Sequence, residues 1–214
     1  MGENDWKRAR SREQVEHRAN EVLDAAARLF RNMPYDEVTL QKIAKEANFT
    51  RSNLYRYFAT KEEIFLTLYL SDVREWVGEA QEAITGKLTP EEFADVSTEI
   101  LFRHPRLLDL TPLLALTLER NASEELYRET KIALGGILEE LTIAMRTALP
   151  SLTPERAVDF FHFYQSLISG AWPMARQSKA CMRILNELGM EWMAVDFRKL
   201  VSGSVLAYLK GILE

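Results

Sequence analysis

The chain has 214 residues, 47% of them hydrophobic and 28% charged, a balance that excludes a disordered protein and allows a real apolar core. Cys181 is its single cysteine, which excludes an intrachain disulfide, and no apolar stretch approaches the roughly 20 residues of a membrane span. The first residues lack the apolar core of a signal peptide, so we expect a cytoplasmic protein with no membrane partner.

The net charge of -5 is unevenly distributed along the chain. Residues 1–60 carry a net charge of +2 and residues 61–214 a net charge of -7. The basic residues of the first part include a short N-terminal arm with Lys7, Arg8, Arg10 and Arg12. A DNA-binding head on an acidic body would show this asymmetry, although a merely solvated basic arm would also produce it.

Helical periodicity dominates the N-terminal part, and no stretch shows the alternation of apolar and polar residues that is typical of a half-buried strand. Thr39, Thr50 and Thr60 are typical N-caps, and Asn48 accepts the left-handed conformation that ends a helix. The predicted helices of this part cover residues 13–31, 40–47, 51–57 and 61–84.

After Gly86, helix caps and prolines divide the rest of the chain. Further helices are expected at residues 90–103, 105–120 with an interruption near Pro112, 124–149, 154–173, 182–188 and 197–213. The sequence therefore predicts an all-α protein of about nine helices. It consists of an N-terminal helix-turn-helix domain of three helices (residues 1–60) and a C-terminal helical bundle for effector binding and dimerisation (residues 61–214).

The segment 39–65 carries the strongest functional signal. Two short helices joined by about three residues must cross steeply, and Ala44 and Ala47 supply the small side chains that this needs. Leu54 and Phe58 belong to the core in any interpretation. The outward positions of the third helix hold hydrogen-bonding groups that suit a DNA groove better than a solvent face: Arg51, Ser52, Asn53, Tyr55, Arg56 and Tyr57.

In this order, these residues resemble the DNA-binding domain of TetR-family regulators from about residue 20 to residue 65. The shared elements are Leu29-Phe30, Thr39, Ile43-Ala44, Leu54-Tyr55-Arg56-Tyr57-Phe58 and Lys61-Glu62. The chain departs from the family at Pro34, Asn48 and Ser52, where glycine is usual.

The resemblance implies a role for each matching residue. Arg51 and Ser52 would reach base edges, and the N-terminal arm would add contacts to the DNA backbone or the minor groove. Phosphates would be held by other side chains around the same helix. The complete DNA-binding set is Thr39, Thr50, Arg51, Ser52, Asn53, Tyr55, Arg56, Tyr57 and Lys61.

The family layout also implies a homodimer built on the last two long helices. The helix at 154–172 is apolar on nearly every side and needs cover on two faces, and the last helix has small residues at four-residue steps. The expected interface residues are Phe160, Tyr164, Ile168, Gly203, Ala207 and Gly211. The alternative, that both glycines touch only helices of the same chain, stays open.

For a small-molecule effector the sequence offers candidates but no signature. A mostly apolar pocket is the usual form of such a site, so a lipophilic or aromatic effector is expected. The candidate lining residues are Trp76, Phe102, His104, Tyr127, His162 and Phe163. Taken singly, His104 and His162 fit structural histidines better than metal ligands, and neither a metal nor a cofactor is expected.

Sequence signatures of enzymes are missing: the chain has no GxSxG, no HExxH and no glycine-rich phosphate loop. Three hypotheses remain. The first is a repressor that binds a palindromic double-stranded operator as a homodimer and is released by an effector that moves the fourth helix. The second is a TetR-like protein whose body docks a protein partner. The third is an all-α enzyme or scaffold in which the motif is a coincidence.

Overall fold

The computed structural model describes residues 3–213, with side chains described from residue 13 onward. All regular structure within this range is helical, which confirms the predicted fold class. Its α-helices are α1 (Glu3–Asn32), α2 (Leu40–Glu46), α3 (Arg51–Leu54), α4 (Lys61–Ala83), α5 (Pro90–Phe102), α6 (Pro105–Leu113), α7 (Glu124–Ala148), α8 (Pro154–Ala175), α9 (Lys179–Glu187) and α10 (Phe197–Leu213). Short 3-10 turns lie at Tyr35–Glu37 and Glu191–Met193.

Two boundaries in the N-terminal part differ clearly from the prediction. Helix α1 begins at Glu3, so that the expected arm forms the first turns of this helix. Helix α3 ends at Leu54, and the chain continues through tighter turns to Phe58, for example with the bond from the Tyr57 N–H to the Leu54 carbonyl at 2.9 Å. Periodicity alone does not distinguish such turns from a longer α-helix.

The chain divides into two compact units. The first unit comprises residues 1–68 and 118–127, and the second comprises residues 69–117 and 128–214. Helix α4 contributes residues to both units.

Aromatic contacts hold the core of the first unit together. The Phe65 ring meets Phe30 edge-on at 5.3 Å and Tyr35 at 4.9 Å between centroids. Edge-to-face pairs of this kind add about 0.5–1.5 kcal/mol beyond the area that they bury. Val22, Ile43 and Leu54 are fully buried here, so α1, α2 and α3 share one apolar core.

Helices α5 and α10 pack side by side in the second unit, and polar pairs line their exposed border. Lys210 Nζ lies 2.8 Å from Glu91 Oε1, and Arg198 Nη1 lies 2.8 Å from Glu99 Oε2. Between them, Ser202 donates to Asp95 at 2.7 Å. The partners run in opposite directions along the two helices, so the pair is antiparallel.

A row of aromatic rings fills the interior of the second unit. Trp76 stacks on Tyr164 at 6.1 Å, Tyr164 on Phe160 at 5.4 Å, and Phe160 meets Phe93 at 6.0 Å. The Tyr164 hydroxyl donates to the Ser97 carbonyl at 3.3 Å. Side chains from α4, α5 and α8 therefore meet in one core.

The predicted interruption near Pro112 takes the form of a change of helix type. Pro112 lies inside α6, where it cannot donate the usual backbone hydrogen bond. Two residues later the α-helix gives way to a π-helical turn at Leu114–Leu118. Such turns relieve a mismatch in the helical hydrogen-bond ladder.

Candidate nucleic-acid interface

Helix α2 is fixed at both ends by the residues that the sequence indicated. The Thr39 hydroxyl accepts from the Lys42 N–H at 3.2 Å and caps the start. At the other end Asn48 has a φ of 58°, in the left-handed region that glycine usually occupies. The Phe49 N–H then reaches the Ala44 carbonyl at 2.8 Å, and the Asn48 N–H reaches the Lys45 carbonyl at 3.2 Å. These two backbone hydrogen bonds end α2 and set the direction in which the chain enters α3.

Helix α3 presents a polar face to the outside. Thr50 caps it by accepting from the Asn53 N–H at 3.2 Å. Leu54 turns inward and is fully buried. The residues that face outward are all exposed: Arg51, Ser52, Asn53, Tyr55 and Arg56.

Arg51 and Tyr55 form a pair on this face. The guanidinium donates to the Tyr55 hydroxyl through Nη2 at 3.0 Å and through Nε at 3.3 Å. The same guanidinium lies 5.5 Å from the centroid of the Tyr55 ring. The cationic side chain of α3 is thus held at the start of the helix.

Tyr57 is half-buried because its ring packs against Phe49. The two rings meet edge-on at 5.9 Å, and the Arg18 guanidinium covers Phe49 at 4.8 Å. Tyr57 is therefore anchored to the corner between α2 and α3.

Lys61 at the start of α4 is half-buried and already bonded within the first unit. Its Nζ donates to the Tyr35 carbonyl at 3.1 Å and lies 3.8 Å from the centroid of the Tyr35 ring. Burial lowers the pKa of the Lys61 ammonium, although Glu62 and Asp36 act to raise it. In turn the Tyr35 hydroxyl donates to Glu62 at 3.0 Å, and burial followed by this carboxylate raises the pKa of the phenol. Sequence reasoning missed these contacts because Tyr35 is 26 residues away from Lys61.

The side chains of Lys7, Arg8, Arg10 and Arg12 lie outside the described residues. Their role on DNA stays a prediction.

The six candidate effector residues do not form one cluster. Trp76 and His104 are buried in the second unit, whereas Phe102 packs against Trp172 and Phe197 at 6.3 and 6.1 Å. Phe163 stacks on Tyr208 at 4.1 Å. His162 is exposed on α8, and Tyr127 belongs to the first unit.

The second unit contains four buried polar atoms that have no hydrogen-bond partner in the part of the chain that the structure describes. They are Trp76 Nε1, Thr98 Oγ1, His104 Nε2 and Thr130 Oγ1. An unpaired buried polar group costs about 1–3 kcal/mol, so each of them is a candidate contact for a bound molecule. Sequence reasoning missed Thr98 and Thr130 because their spacing fits ordinary helical positions.

The candidate dimer residues fall into two groups. Phe160, Tyr164 and Ile168 are buried in the core of their own chain, so these side chains offer no surface to a partner. The physical reason is that the most apolar row of α8 faces the aromatic core. Gly203, Ala207 and Gly211 instead form an exposed row along α10.

The glycines of this row face open space in the part of the chain that the structure describes. A Cβ built on Gly203 or Gly211 meets nothing within 4 Å there. This favours a role outside the chain's own packing, and their contact with a second copy stays a prediction.

Two family models together match nearly the whole chain. Residues 22–68 match the model described as bacterial regulatory proteins of the tetR family, and residues 70–214 match a tetracyclin repressor-like C-terminal domain. The chain belongs to the TetR family of transcriptional regulators. The helix-turn-helix resemblance is thereby confirmed, and the proposal of a coincidental motif is excluded.

Relatives of known sequence match shorter parts. A fatty acid metabolism regulator protein of Bacillus subtilis is 29% identical over 72 residues, which are 34% of this chain and 37% of that protein. The chain thus spans little more than a third of this relative. An uncharacterized HTH-type transcriptional regulator of Mycobacterium tuberculosis is 28% identical over 159 residues, which are 72% of this chain and 71% of that protein.

Solved structures share the fold over most of this TetR-family chain. The fatty acid degradation regulator FadR from Bacillus halodurans has a TM-score of 0.59 at 18% identity, covering 91% of this chain and 95% of that one. A TetR-family regulator from a Shewanella species has a TM-score of 0.55 at 15% identity and covers 88% and 95%. None of the helices among residues 3–213 is long and apolar enough to cross a membrane.

Proposed function

We propose that this TetR-family protein is a repressor that binds a palindromic operator as a homodimer and releases it when a small, mostly apolar effector binds. The exposed polar face of α3 carries the proposal. It presents Arg51, Ser52 and Asn53 together at the start of a helix whose other side is locked into the core.

On the operator, Arg51 and Ser52 contact base edges in the major groove. The Arg51 fork can donate to the two acceptors of a guanine, worth about 1–3 kcal/mol of discrimination. Phosphates are bound by side chains near this helix, namely Thr39, Tyr55, Tyr57 and Lys61, joined by Arg56. Thr50 and Asn53 complete the DNA-binding set. Lys61 and Tyr57 already pack against the aromatic rings of Tyr35 and Phe49 before DNA binds.

The homodimer forms through the exposed rows of α8 and α10, two helices that pack against each other. Gly203, Ala207 and Gly211 let a second copy approach closely. On α8 the exposed row runs along the side opposite to the buried Phe160 and Tyr164, and consists of Val158, His162, Ser166 and Gly170. The buried residues of α8 support this surface from within.

The effector binds within the second unit. Among the described residues, Trp76 Nε1 and Thr98 Oγ1 are buried donors without a hydrogen-bond partner, and the Trp76 ring stacks on Tyr164. A site with few polar groups and many apolar ones selects an apolar molecule with one polar end. Fatty acids are the first compounds to test, because two similar proteins are described as regulators of fatty acid metabolism or degradation.

A protein partner is the second candidate for the C-terminal body. Several large apolar side chains between residues 174 and 193 are exposed, and the Trp192 side chain is exposed to 80%. Exposed apolar clusters of this kind often mark protein contacts.

Selection of bound DNA from random sequence, followed by fluorescence anisotropy, tests DNA binding. The variant R51A/Y55A is expected to lose operator binding and keep its helicity and its oligomeric state. R183A, which also removes one exposed arginine, is the matched control and should bind as the wild type does. Wild-type affinity in R51A/Y55A would overturn the proposed interface.

Fatty acids of increasing chain length, added to the operator complex, test the effector. Release of the operator is expected, and it should weaken in W76F, which keeps an aromatic side chain, although a smaller one, but loses the Nε1 donor. If no fatty acid causes release and an exposed-patch variant such as W192S loses a cellular partner, the second candidate is favoured.

A further inference from the structure

Three metal-ligating side chains meet in the second unit, although they are far apart in the sequence. Glu75 and Glu79 lie one turn apart on α4, and His104 precedes the first residue of α6. One ligand atom from each lies within 4.8 Å of the others. The turn between α5 and α6 thus brings an imidazole to the carboxylate face of α4.

His104 is the residue that distinguishes this group from an ordinary acidic surface. Its side chain is only 8% exposed, and among the described residues its Nε2 has no partner with hydrogen-bond geometry. Nε2 lies 3.4 Å from Glu79 Oε1, close enough for an ion pair if the imidazole is protonated, so this nitrogen is aimed into the group. A buried imidazole nitrogen in this state lacks a partner that most buried polar groups have.

The distances suit a bound ion. Two ligand atoms that each lie about 2.1 Å from a tetrahedral ion are about 3.4 Å from one another, which is the separation of Nε2 and Oε1 here. Glu75 is exposed, so its side chain is free to rotate and bring the third ligand atom closer. The two carboxylates also balance the charge of a divalent cation.

We propose that Glu75, Glu79 and His104 bind a divalent transition-metal ion, with zinc as the reference ion. Imidazole together with carboxylate suits zinc and its neighbours better than calcium or magnesium, which prefer oxygen ligands alone. Three protein ligands leave a further position for water or for a donor atom of another molecule. The inference is independent of the proposed effector and of DNA binding.

A bound ion would tie α4 to the turn before α6. Sequence analysis did not predict this group, because Glu79 and His104 lie 25 positions apart and come together only through the fold. The ion binds the folded chain only, so zinc should raise the melting temperature.

Isothermal titration of zinc into the full-length, chelator-treated protein without an affinity tag tests the proposal. One zinc ion per chain is expected. H104Q and E75Q/E79Q should each weaken binding by about tenfold or more and abolish the zinc-dependent rise in melting temperature. E75Q/E79Q keeps the test decisive if H104Q does not fold, because its two side chains are not buried.

Two control variants report on non-specific binding. H17Q removes an exposed histidine of α1, and E139Q/E140Q removes two exposed carboxylates from α7. Both variants should bind zinc as the wild type does. The proposal is overturned if zinc affinity is unchanged in E75Q/E79Q, if it is lost in H17Q, or if magnesium binds this group as tightly as zinc.

Discussion

Arg51 and Tyr55 are joined on the open face of α3, with the guanidinium donating twice to the phenol oxygen at 3.0 and 3.3 Å. The two bonds hold the guanidinium beside Tyr55 without using all five of its donors. A side chain that is already ordered loses less conformational entropy on binding. The pair therefore prepares Arg51 for a contact whose geometry matters.

The first prediction concerns the shape of that contact. R51K keeps the positive charge but loses the planar fork, so affinity for the selected operator should fall about tenfold to a hundredfold, equivalent to about 1–3 kcal/mol. Affinity for unrelated DNA should change little, because phosphate attraction is retained. Anisotropy titrations with both DNAs measure the ratio of the affinity for the operator to the affinity for unrelated DNA. An equal loss on both would assign Arg51 to phosphate binding.

The helix-turn-helix could be predicted from sequence because local interactions determine it. Thr39 and Thr50 cap their helices through bonds across three residues, and Asn48 adopts the left-handed conformation that its type tolerates. The contacts of Lys61 with Tyr35 could not be predicted, since they depend on how the chain folds back over 26 residues.

The second prediction addresses the proposed dimer. G203L/G211L should leave the fold of one chain intact, because nothing lies within 4 Å of either added Cβ, but it should block a close helix contact between two copies. Sedimentation velocity is expected to show a shift from dimer to monomer. G135L/G136L on α7 is a matched control, since both of these glycines are also exposed and open. A wild-type dimer in G203L/G211L would move the interface elsewhere.

For α8, periodicity predicted that two faces need cover, but it could not say which face lies inside the chain, and cover of the exposed row by a partner stays a prediction. Phe160, Tyr164 and Ile168 occupy the core because Trp76 and Phe93 from other helices complete their aromatic row. This choice depends on tertiary packing and leaves no local trace in the sequence.

The third prediction is a pH effect at the start of α5. The Glu92 carboxylate accepts two hydrogen bonds, one from the Thr89 N–H at 2.8 Å and one from the Thr89 hydroxyl at 3.0 Å. These bonds hold the pKa of Glu92 below its usual range. A carboxyl with a lowered pKa stabilises the fold above its unfolded pKa and loses this effect as the pH falls through its folded pKa.

E92Q keeps an acceptor for the cap but removes the titration. Its free energy of unfolding should therefore decrease less than that of the wild type between about pH 5 and about pH 3. Urea denaturation at several pH values measures the difference. E140Q, which changes an exposed glutamate outside any cap, should follow the wild-type curve.

The last prediction contrasts a buried ion pair with an exposed one in the second unit. Arg106 holds Asp72 with two hydrogen bonds, one of them from Nε at 2.8 Å, and the Asp72 side chain is only 5% exposed. Lys210 and Glu91 also lie 2.8 Å apart, but both side chains are more than half exposed.

R106M should lower the free energy of unfolding by about 3–5 kcal/mol, because it leaves the buried Asp72 carboxylate without its cationic partner. K210M should lower the free energy of unfolding far less than R106M does, since water solvates the exposed Glu91 carboxylate when Lys210 is removed. The double variant R106M/D72L should recover most of the loss, because it removes the unpaired charge together with its partner. Urea denaturation measures the free energy of unfolding of each variant. If R106M lowers it no more than K210M does, water reaches Asp72, and the pair does not anchor α4 to α6.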